Sequence, residues 1–188
     1  MGPGYGLYLL VSVAILGATM VATLATALII LRQATLLGQQ NQVNALIELQ
    51  REWESPRMHF LRSRWAAETT DLGAVEPILE FLEEFAGFRK REVLNNELIW
   101  DTTIGWHAVH YYFYNDENGN IENLRSRWRD KSLFQNLEVV LWPAYIENEC
   151  KERGMNEEGI KQELRETKSC FVEAEKECNA HRLSESPN

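Results

Sequence analysis

Charged side chains are absent from the first 31 residues of this chain, and residues 7–31 are almost entirely Leu, Val, Ile, Ala, Met and Thr. No basic segment precedes this run and no small-residue cleavage site closes it before Arg32, which argues against a cleaved signal peptide. As a helix, the run would reach about 37 Å, enough to cross a hydrocarbon core of about 30 Å. We therefore expect an uncleaved transmembrane helix over residues 7–31.

Positive charge is also scarce, and its position predicts the orientation of this helix. Arg32 and Arg51 follow the apolar run, whereas no basic side chain precedes it. The positive-inside rule then predicts a single-pass protein of the inner (cytoplasmic) membrane, N-out and C-in. Over the whole chain 28 acidic side chains outnumber 19 basic ones, for a net charge of −9. This balance argues against a nucleic-acid partner.

Cysteine is rare. The three cysteines, Cys150, Cys170 and Cys178, cannot all pair with one another, and so sparse a set fits free thiols in a reducing cytoplasm. Cys178 and His181 share a helical face, but two ligands do not make a zinc site. Cys170 is about 12 Å away along the helix axis, too far to join them.

Recognisable catalytic motifs are missing as well. The chain has no nucleophile elbow, phosphate-binding loop or dinucleotide glycine motif. His107 and His110 follow Glu97 and Asp101 on a predicted helix, but at 100° per residue these four side chains do not converge on one metal ion. We predict no metal ligand, no cofactor and no catalytic residue, and hence no enzyme. A nucleophile assembled from residues distant in sequence remains an alternative.

What the chain does have is helical periodicity. No proline lies between Pro3 and Pro56, and apolar residues recur at spacings of three, four and seven after Arg32. The membrane helix is therefore predicted to continue into a stalk, as one helix from about Tyr8 to Trp53. Gly38 and the polar residues 39–42 are the points where a break would cost least.

Capping signals divide the next part into short helices. Ser55 and Pro56 are typical N-cap and N1 residues, and residues 69–73 are predicted to form a loop. Pro77 is predicted to open a helix that Gly87 stops. Asn95 is predicted to cap a helix that continues through Val109. Residues 111–114 have strand propensity, but we assign them to a helix because no partner strand is evident.

Turn and capping signals recur further on. Residues 115–120 are predicted to form a turn, and residues 121–128 a short helix. Ser132 and Gln135 have the spacing of a capping box, before a helix that Pro143 should kink and Gly154 should end.

The C-terminal part shows one more helical pattern. Asn156 is predicted to cap this helix at its N-terminus. The apolar stripe of the helix is narrow and consists of Ile160, Leu164, Phe171 and Ala174.

Together these signals predict an all-α protein, with a transmembrane helix that continues into a stalk and a small cytoplasmic helical bundle. The predicted segments are an extracytoplasmic N-terminus (1–6), the transmembrane helix (7–31), the stalk (32–54), the bundle (55–154), an amphipathic C-terminal helix (155–183) and a disordered tail (184–188).

The combination of anchor, stalk and hydrophobic pattern resembles a family of small bacterial single-pass membrane proteins of uncharacterised function. The likeness is carried by the anchor and stalk up to residues 49–53, by 81–85 and 97–100, by Trp106 and by residues 125–137. The resemblance implies an N-terminal membrane helix and a helical cytoplasmic domain. It implies no activity, substrate or site.

The chain contains six tryptophans, which is high for its length. Large aromatic residues at helical spacing are usually core residues. The predicted core comprises Trp65, Leu82, Phe85, Trp106, Trp128, Leu137 and Leu141. The functional alternative is an aromatic-lined groove for a partner peptide or a small apolar ligand, which exposed tryptophans would favour.

Partner predictions follow from these features. Besides the lipid bilayer, we expect a protein partner that contacts the helical bundle. Small residues Ala14, Ala18, Ala22 and Thr26 form a stripe that allows close approach of a second membrane helix, and hence self-association. The leading hypothesis is an interaction or scaffold module at the cytoplasmic face of the membrane. The alternatives are a signalling component that transmits a state through the stalk, and a membrane-bound enzyme of undetected type.

Overall fold

The computed structural model describes the backbone of residues 4–94 and 96–184, and the side chains of residues 20, 23, 24, 26–94 and 98–177. Every regular element in this part of the chain is a helix, which confirms the predicted all-α class. The elements are α1 (Gly4–Trp53), α2 (Pro56–Ala67), α3 (Leu72–Lys90), α4 (Asn96–Trp100), α5 (Thr103–Glu117), α6 (Asn120–Trp128), a π-helical turn (Leu137–Leu141), α7 (Trp142–Arg153) and α8 (Glu157–Ser184). The chain forms two compact units, residues 1–44 and 45–188.

Helix α1 accounts for the first unit. It continues without interruption through Gly38 and the polar residues 39–42, as predicted, and the position of Gly38 has open space around it. Most side chains of the predicted membrane span 7–31, including those of Ala14, Ala18 and Ala22, lie outside the described residues. Over the residues that are described, no helix is both long enough and apolar enough to cross a bilayer.

In the second unit, three predicted helix boundaries are confirmed by their hydrogen bonds. The Ser55 hydroxyl accepts from the Met58 amide at 3.2 Å, with Pro56 at the first helical position of α2. Gly154 ends α7 in the left-handed conformation, at φ 66°. The Asn156 side chain accepts from the Gly159 amide at 2.8 Å at the start of α8.

The predicted limits of α3 are wrong at both ends. The helix begins at Leu72, because the Asp71 carboxylate accepts from the Gly73 amide at 3.0 Å and caps it before Pro77. It then continues past Gly87 to Lys90. The left-handed residue that follows the helix is Glu92, at φ 57°, and not Gly87.

The helix predicted from Asn95 through Val109 is divided into α4 and α5. Thr102 makes the break, since its hydroxyl donates to the Ile99 carbonyl at 2.9 Å and accepts from the Gly105 amide at 3.2 Å. A Cβ atom at position 105 would lie only 2.2 Å from the Ile99 carbonyl oxygen, so glycine permits this close approach. The predicted cap at Asn95 lies outside the described residues. Residues 111–114 are helical, as predicted.

The capping box predicted at Ser132 and Gln135 does not form. The Ser132 hydroxyl and amide both donate to the Asp130 carboxylate, at 2.6 and 2.8 Å. The cap comes instead from α3, where the Glu83 carboxylate accepts from the amides of Asn136 and Leu137 at 2.8 and 2.9 Å. The helix predicted across Pro143 is divided instead, because a π-helical turn over Leu137–Leu141 precedes α7 and Pro143 lies in the first turn of α7.

The core of the second unit lies between α2, α3, α5 and α8. Of the seven predicted core residues, five are fully buried: Trp65, Leu82, Phe85, Leu137 and Leu141. The prediction is wrong for the other two, since Trp106 is 47% exposed and Trp128 is 56% exposed. Trp128 lies on the surface, where its indole N–H donates to the Glu76 carboxylate at 2.5 Å. Trp106 lies at a cavity.

Candidate binding site

A cavity of about 340 Å³ opens in the second unit, between residues of four segments. The lining residues are Trp53 at the end of α1 and Glu54 just after it, His59 and Arg62 of α2, Thr103, Trp106 and His107 of α5, and Phe171, Ala174 and Glu175 of α8. Helix α8 packs mainly on α2 and also contacts α5, and this packing brings residues distant in sequence to one site.

A buried ion pair forms one part of the lining. Arg62 Nε donates to Glu175 Oε2 at 2.8 Å, and Arg62 Nη2 donates to Glu175 Oε1 at 2.9 Å. Arg62 is 4% exposed and Glu175 is 3% exposed. The guanidinium also lies over the Trp53 ring, 4.4 Å from its centroid. The ion pair therefore joins α2 to α8, and its guanidinium packs on Trp53, the last residue of α1.

His107 extends this ion pair. Its Nε2 lies 3.0 Å from Glu175 Oε1, and its Nδ1 lies 2.6 Å from the Thr103 carbonyl oxygen. Both ring nitrogens thus face acceptors, and both contacts are hydrogen bonds only when the ring carries two protons. Glu175 accepts from two basic side chains, which makes this a connected network.

The electrostatics of the network keep both members of the ion pair charged. Burial alone would raise the pKa of Glu175, but hydrogen bonds from His107 and Arg62, together with their charges, lower it to about 2. Burial alone would lower the pKa of Arg62, but the hydrogen bonds and charge of Glu175 outweigh it and raise that pKa. The Arg62–Glu175 pair therefore retains its charges across the physiological pH range.

An aromatic wall stands beside the network. The Phe171 ring stacks on His110, with 5.0 Å between centroids, and lies 5.3 Å from the Trp106 ring. Trp106 in turn covers His110, at 4.0 Å between ring centroids. His110 is buried, and burial lowers its pKa to about 4, despite a hydrogen bond with the Trp106 carbonyl oxygen. This ring is neutral at pH 7.

One buried polar group next to the network has no partner. The Tyr111 hydroxyl is enclosed and makes no hydrogen bond within the described part of the chain. Burial, and then the charge of Glu175, raise its pKa. Arg62 and Glu175 thus lie close enough for their charges and hydrogen-bonding groups to shift the pKa of the phenol, although neither meets the hydroxyl at hydrogen-bond distance.

The residues weighed as metal ligands in the sequence are separated in the structure. His107 turns towards Glu175, His110 packs between Trp106 and Phe171, and Asp101 is exposed. The Glu97 side chain is outside the described residues. Among the residues whose side chains are described, no group of three His, Cys, Asp or Glu can hold a metal ion.

The cysteines lie elsewhere. Cys150 is half-buried and Cys170 is exposed, both as free thiols. The side chains of Cys178 and His181 are outside the described residues.

The sequence interpretation missed Arg62 and Glu175, although a signal was present. Glu175 follows Phe171 by four residues, so it continues the apolar stripe of α8 with a charged residue. Arg62 lies between Leu61 and Trp65 on the buried side of α2. A charged residue on an otherwise apolar face predicts a buried partner of opposite sign, but it does not identify that partner.

Comparison of the chain with protein-family models, with curated proteins and with solved structures finds no match.

Proposed function

We propose that the protein is a membrane-tethered helical interaction module at the cytoplasmic face of the membrane, and that the cavity beside Trp106 is its binding site. The observation that carries this proposal is the exposure of Trp106 at the cavity. A half-exposed ring at the mouth of a cavity offers flat apolar surface to a ligand, and aromatic residues are enriched at binding sites. The site combines apolar walls with a few fixed polar groups, as ligand pockets do.

The polar groups of the site support binding more than catalysis. Arg62 and His107 both contact the Glu175 carboxylate, so a general base or nucleophile there would first have to break these contacts. A preorganised network of this kind is suited to orienting a bound group. The membrane-bound enzyme is therefore the less supported alternative.

The signalling alternative has an observation in its favour. Trp53, the last residue of α1, both lines the cavity and lies under the Arg62 guanidinium. Occupation of the cavity would therefore act on the end of the helix that we propose as the stalk. A signalling component remains the second candidate function.

The proposed tether is residues 7–31, in a bacterial single-pass protein with its C-terminus in the cytoplasm. The uncharged apolar run and Arg32 behind it support this proposal. Reporter fusions at Asn188 test it. We expect activity from a reporter that works only in the cytoplasm and an intact N-terminus. Activity of a periplasm-only reporter, or a mature N-terminus beyond residue 20, would contradict the orientation or the uncleaved anchor.

The binding site is tested by photo-crosslinking in the full chain in membranes. Benzoylphenylalanine replaces Trp106 in one variant and Trp128 in the matched control, since both side chains are about half exposed. We expect a discrete adduct, visible as a mass increase on the intact protein, from position 106 only. No adduct at 106, or equal adducts at both positions, would argue against the cavity as the binding site.

A further inference from the structure

The guanidinium of Arg62 has donors that the protein does not use. Arginine carries five N–H donors. Nε and Nη2 each donate one to Glu175. The Tyr111 phenol also lies near enough to the guanidinium to raise its pKa, although its hydroxyl has no partner at hydrogen-bond distance. Among the described residues, the edge formed by Nη1 and the second N–H of Nη2 therefore has no acceptor at hydrogen-bond distance. An anionic acceptor that reaches this edge would form charge-assisted hydrogen bonds.

Arg62 is one of the residues that line the cavity, although it is only 4% exposed as a whole. A ligand in the cavity would therefore lie beside the Arg62 side chain.

The charges around the cavity favour an anionic acceptor over a cation. The Trp53 face, which would otherwise attract a cation, is covered by the Arg62 guanidinium at 4.4 Å. Glu175 is bonded to both Arg62 and His107, and the Glu54 carboxylate lies 3.3 Å from His59 Nε2. The carboxylates of the site thus contact basic side chains, whereas Arg62 still has N–H donors available for a ligand.

The shape and the walls of the cavity define the rest of the ligand. Its volume of about 340 Å³ is at the small end of the range for small-molecule sites, about 300 to 1,000 Å³. The Trp106 and Phe171 rings offer flat apolar surfaces, and Ala174 adds little bulk. A compact body with one or two flat rings suits this space.

We propose that the cavity binds a small organic carboxylate with a flat apolar body. The ligand carboxylate bonds the unused edge of Arg62, the geometry in which guanidinium and carboxylate pair most strongly, and the apolar body packs on Trp106. This inference rests on the proposed function, because it names the ligand class of the same cavity.

Three probes of similar size and different charge test the ligand class: 2-naphthoate, naphthalen-2-ylmethanol and naphthalen-2-ylmethylammonium. Each is titrated into the full chain by calorimetry at pH 7. Because the carboxylate alone can pair with Arg62, we expect 2-naphthoate to bind at least about tenfold more tightly than the alcohol or the ammonium. Equal affinity for all three, or tighter binding of the ammonium, would overturn the proposal.

Two substitutions locate the binding. Arg62→Lys keeps the charge but removes the planar edge, and we expect 2-naphthoate affinity to fall at least about tenfold. Since that residue is buried and its variant may not fold, Trp106→Ala provides the second test at a half-exposed position. We expect it to weaken 2-naphthoate binding to a similar degree, with Trp128→Ala unchanged. Unaltered binding to the Trp106 variant would overturn the proposal.

The crosslinking experiment separates failure of this proposal from failure of the proposed function. If none of the three probes binds but position 106 still forms its adduct, the ligand class is wrong and the binding site stands. If neither probes nor adduct are observed, both proposals fail. Suppression of the adduct by 2-naphthoate, and not by the ammonium probe, would support both.

Discussion

Replacing His110 by phenylalanine should remove a large part of the acid sensitivity of the fold. Burial, with a smaller contribution from the nearby His107, lowers the pKa of His110 from its ordinary value of 6.5 to about 4 in the folded protein. As the pH falls below 6.5, the unfolded chain therefore binds a proton that the folded protein still excludes. The free energy of unfolding falls over this interval and stops falling, for this group, near pH 4.

The magnitude follows from the difference between the two pKa values. It corresponds to roughly 3 kcal/mol in total, of which about 2 kcal/mol is lost between pH 7 and pH 5. A histidine that is charged in the folded state would stabilise the fold at low pH. His110 has the opposite effect, because the folded state holds its ring in the neutral form. His110→Phe preserves a ring for stacking on Phe171 and cannot titrate.

Urea unfolding of the full chain at pH 7 and pH 5, followed by near-ultraviolet circular dichroism, measures the effect. We expect the wild type to lose about 2 kcal/mol more than His110→Phe between the two pH values. Glu175 does not interfere, because its lowered pKa gives stability that is lost only as the pH falls below about 4.5 towards 2. An equal loss in both proteins would refute the argument that His110 is buried in its neutral form.

Three further substitutions test the packing around the cavity, by urea unfolding at pH 7. Tyr111→Phe should stabilise the fold by about 1 kcal/mol, because it removes an enclosed hydroxyl without a hydrogen-bond partner; destabilisation would mean that the hydroxyl is bonded. Glu175→Ala should cost about 3 to 5 kcal/mol because it leaves Arg62 buried without its carboxylate, and adding Arg62→Met should recover part of that loss; additive losses would contradict this. Phe85→Ala should cost about 3 to 5 kcal/mol, and Trp106→Ala clearly less because its ring is half exposed; equal costs would place Trp106 in the core.

The sequence predicts helices well where the signal is local. Ser55 with Pro56, Gly154 and Asn156 act through hydrogen bonds or backbone angles within a few residues, so their roles can be read from the neighbouring sequence. Two of the wrong boundaries also have local causes, the Asp71 cap of α3 and the Thr102 break, which the sequence interpretation did not use. A third depends on a distant group. The amides of Asn136 and Leu137 bond the Glu83 carboxylate of α3, more than fifty residues away, and no local pattern contains that information.

Periodicity also has a limit, because it identifies the side of a helix that carries large apolar residues and not what covers that side. Phe85 and Trp106 both lie on apolar stripes of their helices. Phe85 of α3 is fully buried in the core, whereas Trp106 of α5 lines a cavity and is half exposed. The ion pair of Arg62 and Glu175 joins residues 113 positions apart, so only the tertiary packing of α2 against α8 reveals it.

Three departures from an optimally stable fold coincide at this cavity: a buried ion pair, an enclosed Tyr111 hydroxyl without a partner, and a half-exposed Trp106. The ion pair and the enclosed hydroxyl each cost stability that an apolar substitute would restore, since well-packed hydrophobic residues often replace a buried ion pair without loss. Residues that reduce the stability of the fold are expected at functional sites, because such residues are selected for binding and not for stability. Trp128 shows the contrast, because its exposed ring is accounted for by a single surface hydrogen bond to Glu76. The clustering of two such costs and a half-exposed ring around one opening is therefore a stronger argument for a binding site than the exposure of either tryptophan alone.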